Sequence, residues 1–420
     1  MNIVIVGAGL IGVTCAYLLR MRGHQVTVVE REEGPGRGSS FANATLLVPS
    51  MAEPWNSPGC WRALLSSLGR PDAALRVRFE ALPTLATWGI LFLRNSRAAP
   101  FHRNTLKNLR LALHSVEIMA SLRRETAVEY ARVARGTLKI FRSTAALDRN
   151  EAASQQLASH GLAFRRLSAH ETVELEPALA PIGSELVGAL HFANDEAGDA
   201  HRFCMALAER ARESGVQFRF RTAITAIESR GHHVTAFAAG QERIRADQYI
   251  VAAGSYSTPL LEGVGVSLPV RPAKGYSITL DRLHGEARPR IPIADDQFHA
   301  AIVPFGEGVR VAGTAEFSGF NLTLRRERIR NLLTLLQLTL PQLGFDPAAA
   351  KPWCGLRPMS ADGVPIIGPT PLPNLWVNTG HGHLGWTMAA GSAQMLTHLI
   401  DGTTATLDSA PYALGRFRAL

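Results

Sequence analysis

Cysteine is scarce in this chain. Cys15, Cys60, Cys204 and Cys354 are scattered over 420 residues and form no C-x-x-C pair, which argues against a zinc site and fits a reducing compartment. Charge is sparse too: 19% charged against 46% apolar residues describes a soluble globular protein. No run of eighteen apolar residues exists, so no transmembrane helix is expected. The N-terminus lacks a basic leader and a small-residue cleavage site, so no signal peptide is expected either, and the expected location is the cytoplasm. Internal repeats and low-complexity segments are absent. Acidic residues are in deficit, 35 against 44 Lys and Arg, for a formal net charge of +9. Three readings compete for that excess: nucleic-acid binding, attraction to an anionic membrane surface, and a solvated Arg-rich surface. The basic residues are spread rather than clustered with aromatics, which weakens the first.

What is present starts at residue 1. Ile3, Val4, Ile5 and Val6 form an apolar run of the kind a strand buried on both faces needs. Gly7, Gly9 and Gly12 follow at G-x-G-x-x-G spacing: the first for a tight turn, the second for close approach to a pyrophosphate, the third for helix–strand packing. A helix from Leu10 to about Arg22 turns its free N–H groups to the phosphates and stops at Gly23. Val26 to Val29 form a second strand, and Glu30 at its end suits ribose hydroxyls. Together these predict a dinucleotide-binding βαβ unit. At 420 residues the chain has room for two intimately packed domains.

Residues Arg31 to Pro49 form a loop whose Ser39, Ser40, Asn43 and Thr45 suit phosphate and ring contacts, or form a plain Ser/Asn loop. Ala52 to about Glu129 read as helical, broken by Pro54, Pro58, Pro71, Pro83 and Pro100. Within this stretch, Leu82 to Leu93 is apolar and flanked by Arg76, Arg78, Arg94 and Arg97. A buried core helix is the favoured reading there, with a helix lying in a membrane interface as the second. Gly136–Phe141 and Leu186–Phe192 are strand candidates with a helical segment between them. Asp199 to Glu213 is a helix with an acidic cap. Gln217–Phe220, Ile224–Ile227 and His233–Ala238 read as a small meander. Gln248–Ala252 is a buried strand ending at Ala253–Gly254, where small residues suit a cofactor. Pro269–Leu280, Ala300–Pro304 and Val309–Gly313 read as a second, antiparallel sheet. Arg325 to Leu340 is an amphipathic helix.

Two C-terminal stretches carry chemistry. In Gly355-Leu-Arg357-Pro-Met-Ser-Ala-Asp362-Gly-Val-Pro-Ile-Ile-Gly368, the Arg357 fork matches a carboxylate: that of a substrate, or that of Asp362 in a structural pair. In Asn378-Thr-Gly380-His-Gly382-His383-Leu-Gly385-Trp386-Thr387, a second Gly-rich helix start is expected. Its positive end suits the charge that reduction builds on a flavin's pyrimidine edge. His381 and His383, two apart on a loop, read as local capping rather than metal ligands.

On these residues the sequence resembles the glycine oxidase/D-amino acid oxidase superfamily of flavoproteins, and most of all the bacterial D-amino acid dehydrogenases (small subunit). The resemblance runs nearly end to end. It rests on the first βα turn, Ser39-Ser-Phe-Ala-Asn-Ala44, Asn194-Asp-Glu-Ala-Gly-Asp199, Gly254-Ser-Tyr-Ser257, Lys274-Gly-Tyr276-Ser and the two C-terminal stretches. It implies an α/β architecture in which a Rossmann-like FAD-binding domain (1–55, 195–265 and 352–420) is interleaved with an α+β substrate domain on a mixed or antiparallel sheet (56–194 and 266–351). It implies non-covalent FAD, with Gly7, Gly9, Leu10, Ile11 and Gly12 at the pyrophosphate, Glu30 and Arg31 at the adenosine ribose, and Ile224 at the adenine. Ser39, Ser40, Asn43, Ala44, Thr45, Ala253 and Gly254 are expected near the flavin. Gly382, His383, Leu384, Gly385, Trp386 and Thr387 are expected near its pyrimidine edge. Arg357 matches the arginine that clamps the substrate carboxylate, with Tyr276 and His299 as further catalytic candidates and Met51, Glu53 and His383 as pocket candidates. Met51, Glu53, Thr45 and His299 depart from the residues common at their positions, which bears on the substrate side chain.

The implied reaction is oxidative deamination of a free D-amino acid, or of a cyclic one such as D-proline or 4-hydroxy-D-proline, by hydride transfer to flavin N5. Electrons pass to a quinone or another respiratory acceptor. A peripheral contact with the inner face of the cell membrane stays open, and no nucleic-acid partner is expected. Three alternatives remain beside this: an oxidase using O₂, a flavoprotein acting on an RNA-attached amine, and an NAD-dependent dehydrogenase.

Overall fold

The computed structural model describes residues 1–62, 75–283 and 287–417. Asn2–Val6 forms the predicted strand, and its alternation decides where the rest packs. It pairs in parallel with Gln25–Val29 on one side and Gln248–Val251 on the other. Ile3 and Ile5 point into a core with the helices Leu10–Met21, Ala200–Glu213 and Ala389–Asp401, through residues such as Val13, Phe203 and Leu396. Val4 and Val6 point the other way, into a core shared with Phe237 and Tyr249. Both faces are therefore covered, as a parallel sheet requires. The sheet has six strands, ordered Ile366–Pro369, Leu375–Thr379, Gln248–Val251, Asn2–Val6, Gln25–Val29 and Gln217–Arg219.

Gln217–Arg219 corrects the expected meander. It pairs in parallel with Gln25–Val29 at the edge of the main sheet. The meander is made instead by Ala226–Arg230, His233–Ala239 and Glu242–Ile244. A three-residue strand carries no register of its own, so the unpaired edge of the main sheet decided its partner.

A nine-stranded sheet forms the second layer, ordered Lys351–Ser360, Val270–Leu280, Gly308–Phe317, Ala300–Phe305, Ile293–Asp295, Thr137–Phe141, Gly188–Phe192 and Arg165–Leu167, with Leu75–Val77 added parallel to Gly308–Phe317. Its pairing is mostly antiparallel, with Ile293–Asp295 parallel to Thr137–Phe141. Leu332, Leu335 and Leu336 of the helix Arg326–Thr339 bury against it. Lys351–Ser360 is the edge strand of this sheet and leads straight back towards the smaller one.

Within the stretch read as helical, helices run over Leu82–Asn95 and Ala98–Thr126. Pro83 and Pro100 sit in first turns rather than breaking a helix, since a missing N–H costs nothing there. Pro71 lies outside the described residues. The helix Leu82–Asn95 is not a buried core helix: Trp88 and Phe92 are buried, while Leu82, Ile90 and Leu93 are exposed. Among the described residues no helix is long and apolar enough to cross a membrane.

Candidate functional site

A cavity of about 1680 Å³ runs between the glycine turn and the large sheet. At its first end the backbone makes the wall. Gly7 has φ +105°, and a Cβ there would lie 2.6 Å from the Ala252 carbonyl oxygen. Gly12 does not border the cavity; a Cβ on it would lie 1.8 Å from the Gly7 carbonyl oxygen, so its role is to seat the helix on the turn. The Glu30 carboxylate accepts from the Ala8 N–H at 2.7 Å and from the Glu32 N–H at 3.0 Å. A carboxylate has about four lone-pair sites, so capacity remains for ribose hydroxyls. Ser40 Oγ accepts from the Leu10 N–H at 3.2 Å. Leu10, Ile11, Arg31, Ile224, Ala253 and Gly254 also border this end, with the Arg31 guanidinium stacked on Tyr256 at 3.9 Å.

The loop Ser39–Thr45 follows along the wall through Ser39, Ser40, Asn43, Ala44 and Thr45. Thr45 has φ +60°, which explains why glycine suits this position; here Asn43 Oδ1 accepts the Thr45 N–H at 2.9 Å and supports the turn. The Ser277 hydroxyl donates to the Ala42 carbonyl at 2.6 Å and ties the loop to the large sheet.

The C-terminal turn is not the first turn of a helix. Gly382–Leu384 is an isolated 3₁₀ turn, and the helix starts at Ala389. Gly382, His383, Gly385 and Trp386 border the cavity, whereas Leu384 is a core residue and the Thr387 hydroxyl accepts the Val48 N–H at 3.0 Å. Gly380, Gly382 and Gly385 crowd this stretch and disfavour a regular helix there.

At the far end the wall is made of side chains. Arg357 has no carboxylate within ion-pair reach among the described residues, and its buried Nη1 makes no hydrogen bond. Burial alone pushes its pKa down to about 10. The alternative partner is taken: Asp362 binds Arg416 at 2.8 and 3.1 Å. Gly275 makes room for the fork, since a Cβ there would lie 2.0 Å from Arg357 Nη1. The Trp55 ring lies 5.5 Å from the guanidinium and stacks on His383 at 5.6 Å. His383 Nε2 lies 3.0 Å from the Met51 carbonyl. Burial holds the pKa of His383 down at about 4, the Met51 carbonyl opposes this, and the Arg357 charge adds to it. His381 is pushed by burial to about 3, and its Nε2 is sealed without a partner.

Tyr276 and His299 both border the cavity, in contrasting surroundings. The Tyr276 hydroxyl donates to Glu316 at 2.9 Å, in a buried cluster with Arg78, Arg325 and Lys274, and its ring packs beneath the helix Arg326–Thr339. Burial and the Glu316 carboxylate push its pKa up. His299 is exposed, at φ +50°, on the rim of the cavity, and Glu53 is exposed there too.

Sequence reading missed Trp55, Gly275 and Asp195 as parts of the site. Asp195 is buried; Ser50 donates its hydroxyl to it at 2.5 Å and its N–H at 3.4 Å, and burial pushes the pKa up to about 7. This pair anchors the 3₁₀ turn Pro49–Met51, which carries the carbonyl that meets His383. The motif Asn194–Asp199 signalled Asp195, but nothing in the sequence pointed it at Ser50.

The residues fit a flavin dinucleotide. Glycine cradles and an acid stand at one end, and buried unpartnered polar atoms, Arg357 Nη1, His381 Nε2 and Trp386 Nε1, belong to residues bordering the other. Buried polar groups left unpaired in a native fold call for a missing partner.

Comparison with known proteins agrees. Residues 2–399 match the family model for FAD dependent oxidoreductases of the DAO type. The chain is 38% identical over 418 residues to a D-amino acid dehydrogenase of Paramagnetospirillum magneticum, covering 99% of each. It is 40% identical over 420 residues to one of Methylobacterium radiotolerans, covering 100% of each. Its fold matches glycine oxidase from Geobacillus kaustophilus with a TM-score of 0.78 at 23% identity, over 99% of this chain and 98% of that one. With the family model spanning almost the whole chain and full-length relatives at this identity, the chain belongs to the DAO family of FAD-dependent oxidoreductases.

Proposed function

We propose that this protein is a D-amino acid dehydrogenase that oxidatively deaminates a free D-amino acid, or a cyclic one such as D-proline or 4-hydroxy-D-proline. The observation that carries the reading is Arg357: a half-buried guanidinium that borders the cavity, has no carboxylate within ion-pair reach among the described residues, and leaves Nη1 without a hydrogen bond. Full-length relatives that are D-amino acid dehydrogenases support the substrate class.

FAD, bound non-covalently, supplies the two-electron acceptor. In this reading Gly7, Gly9, Leu10 and Ile11 hold its pyrophosphate, Glu30 its ribose, and Ile224 its adenine. Ser40, Asn43 and Ala44, with Gly382, Gly385 and Trp386, border its ring. Arg357 binds the substrate carboxylate with paired N–H donors and so fixes the α-carbon in one position. Trp55 and His383 close the pocket on one side and exclude water. Met51 and Glu53, on the same turn and loop, are the first contacts for the side chain. Electrons pass on to a quinone or another respiratory acceptor. The domain division, 1–55 with 195–265 and 352–420 against the remainder, and a cytoplasmic location with peripheral membrane contact belong to the same proposal.

The test is anaerobic reduction of the purified yellow protein by a panel of D- and L-amino acids, with proline and hydroxyproline included. Bleaching by D-amino acids is expected, with release of the flavin as free FAD on denaturation. Bleaching by L-isomers alone overturns the reading. Quinone or dye reduction, against oxygen uptake, assigns the acceptor.

A further inference from the structure

We propose that Nδ1 of His383 takes the proton that the substrate's α-amino group loses beside the Arg357 clamp. This rests on the D-amino acid dehydrogenase reading. A carbonyl oxygen can only accept, so the 3.0 Å contact between His383 Nε2 and the Met51 carbonyl puts the ring proton on Nε2. Nδ1 then carries the free lone pair. It makes no hydrogen bond among the described residues, yet it is not among the polar atoms sealed from solvent, and His383 borders the cavity. His381 is the contrast: its unpartnered Nε2 is sealed.

The position is right for the amine. His383 stacks on Trp55 with 20° between the planes, and the Arg357 guanidinium lies 5.5 Å from the same indole. In an α-amino acid the nitrogen is two bonds from the carboxylate carbon. His383 and Arg357 thus share one neighbour, the Trp55 indole, and both border the cavity, so the amine of a carboxylate held by Arg357 lies on the His383 side of the site in this proposal. The other titratable groups at this end of the cavity are placed worse. The Tyr276 hydroxyl is engaged with Glu316, and Glu53 and His299 are exposed on the rim. Asp195 stands behind Ser50, which it anchors.

That anchoring gives the ring its orientation before substrate arrives. Asp195 holds Ser50, the turn Pro49–Met51 presents the Met51 carbonyl, and the carbonyl sets the tautomer. The step balances simply. The N–H bond breaks, its electron pair stays on the amine nitrogen, and the proton bonds to Nδ1. The resulting imidazolium keeps its Nε2–H on Met51. The lone pair left on nitrogen would then be available to assist oxidation at the α-carbon, for which FAD, when bound, would supply the two-electron oxidant. In the empty site burial chiefly, and the Arg357 charge to a smaller degree, disfavour the imidazolium, while the Met51 carbonyl favours it. A bound carboxylate offsets the Arg357 contribution.

The experiment uses the FAD-loaded protein and two substitutions. His383→Gln can still donate an amide N–H to Met51 but offers no base at the Nδ1 position. Its anaerobic flavin-reduction rate with a D-amino acid is expected to fall about 100-fold or more at pH 7. Its Kd for propionate, a carboxylate with no amine, read from the flavin absorbance, should stay within about twofold of wild type. The rate deficit should shrink as the pH rises past the substrate amine's own pKa, because the amine then arrives already neutral. In His383→Ala, added imidazole should restore part of the rate. A glutamine variant as fast as wild type, or a deficit equal at every pH, overturns the proposal, as does a propionate Kd that weakens in step with the rate. A wild-type protein that no D-amino acid reduces shows a different failure, that of the function reading itself.

Discussion

The two ends of the cavity are built on opposite principles. At the glycine end the polar side chains are already engaged with the backbone: Glu30 holds two backbone N–H groups, Ser40 a third, and Asn43 a fourth. At the arginine end Arg357 Nη1 and His381 Nε2 have none. The first end is a cradle built mainly on residues 7–45, with Ile224, Ala253 and Gly254 added from later in the chain. The second is assembled from Met51, Trp55, Gly275, Arg357 and His383, which come from different elements, and it keeps hydrogen-bonding capacity unmet within the protein. Pre-satisfied groups give shape, and unsatisfied ones give affinity for a charged substrate.

Breaking each end should therefore look different. Gly7→Ala attacks the cradle, where the new Cβ meets a backbone oxygen at 2.6 Å in a left-handed conformation. We expect a colourless protein without flavin, and a yellow one at full FAD content refutes the cradle. Arg357→Ala should leave the flavin in place and raise KM for D-amino acids about 30-fold or more, from about 2 kcal/mol or more of lost charge-assisted bonding. An unchanged KM refutes the clamp. Gly275→Ala sharpens the same point without touching the arginine: a Cβ 2.0 Å from Nη1 must displace the fork. KM should rise in the same direction but less, with FAD content unaltered, and the shorter lysine at 357 should relieve the clash in the double variant.

Smaller effects test the frame between the ends. Burial raises the Asp195 pKa from 3.8 to about 7, so the folded state holds a proton that the unfolded chain releases above about pH 4. Stability from this group is present below the unfolded value and is lost as the pH rises towards 7. Asp195→Asn keeps an acceptor for Ser50 and cannot ionise. Its Tm relative to wild type should therefore climb between pH 4 and 7 and then level off; a flat difference refutes the shift. Smallest of all, Thr45→Gly relieves a left-handed residue but loosens the unfolded chain. We expect a change in stability below about 1 kcal/mol by chemical denaturation.

The cradle was legible because its signal is local. Asn2–Val6, Gly7, Gly12 and Glu30 lie within thirty residues, and strand, turn and helix each follow from spacing. The arginine end was legible only in part. Arg357 and His383 stood out by type and motif, but Trp55 carried no motif, and the significance of Gly275 appears only when the antiparallel pairing of Val270–Leu280 with Lys351–Ser360 sets it against the guanidinium. Tyr276 was expected in the pocket. It does border the cavity, and what only the structure shows is that its hydroxyl is engaged with the buried Glu316 beside a register shift between Gly275 and Tyr276. The short strands Gln217–Arg219 and Leu75–Val77 were misread or missed, because three residues hold too little pattern to name a partner.

By itself the sequence determined the βαβ cradle and the burial of its first strand on both faces, and it singled out Arg357 as a candidate for a carboxylate, since each depends on residues close together or on a side chain of singular chemistry. Only the tertiary structure decided that Arg357 keeps an unpaired donor while Arg416 takes Asp362, that a glycine across the sheet leaves space for it, and that a carbonyl from residue 51 sets the proton on a ring at residue 383. Those are relations between segments up to several hundred residues apart, and no local spacing encodes them.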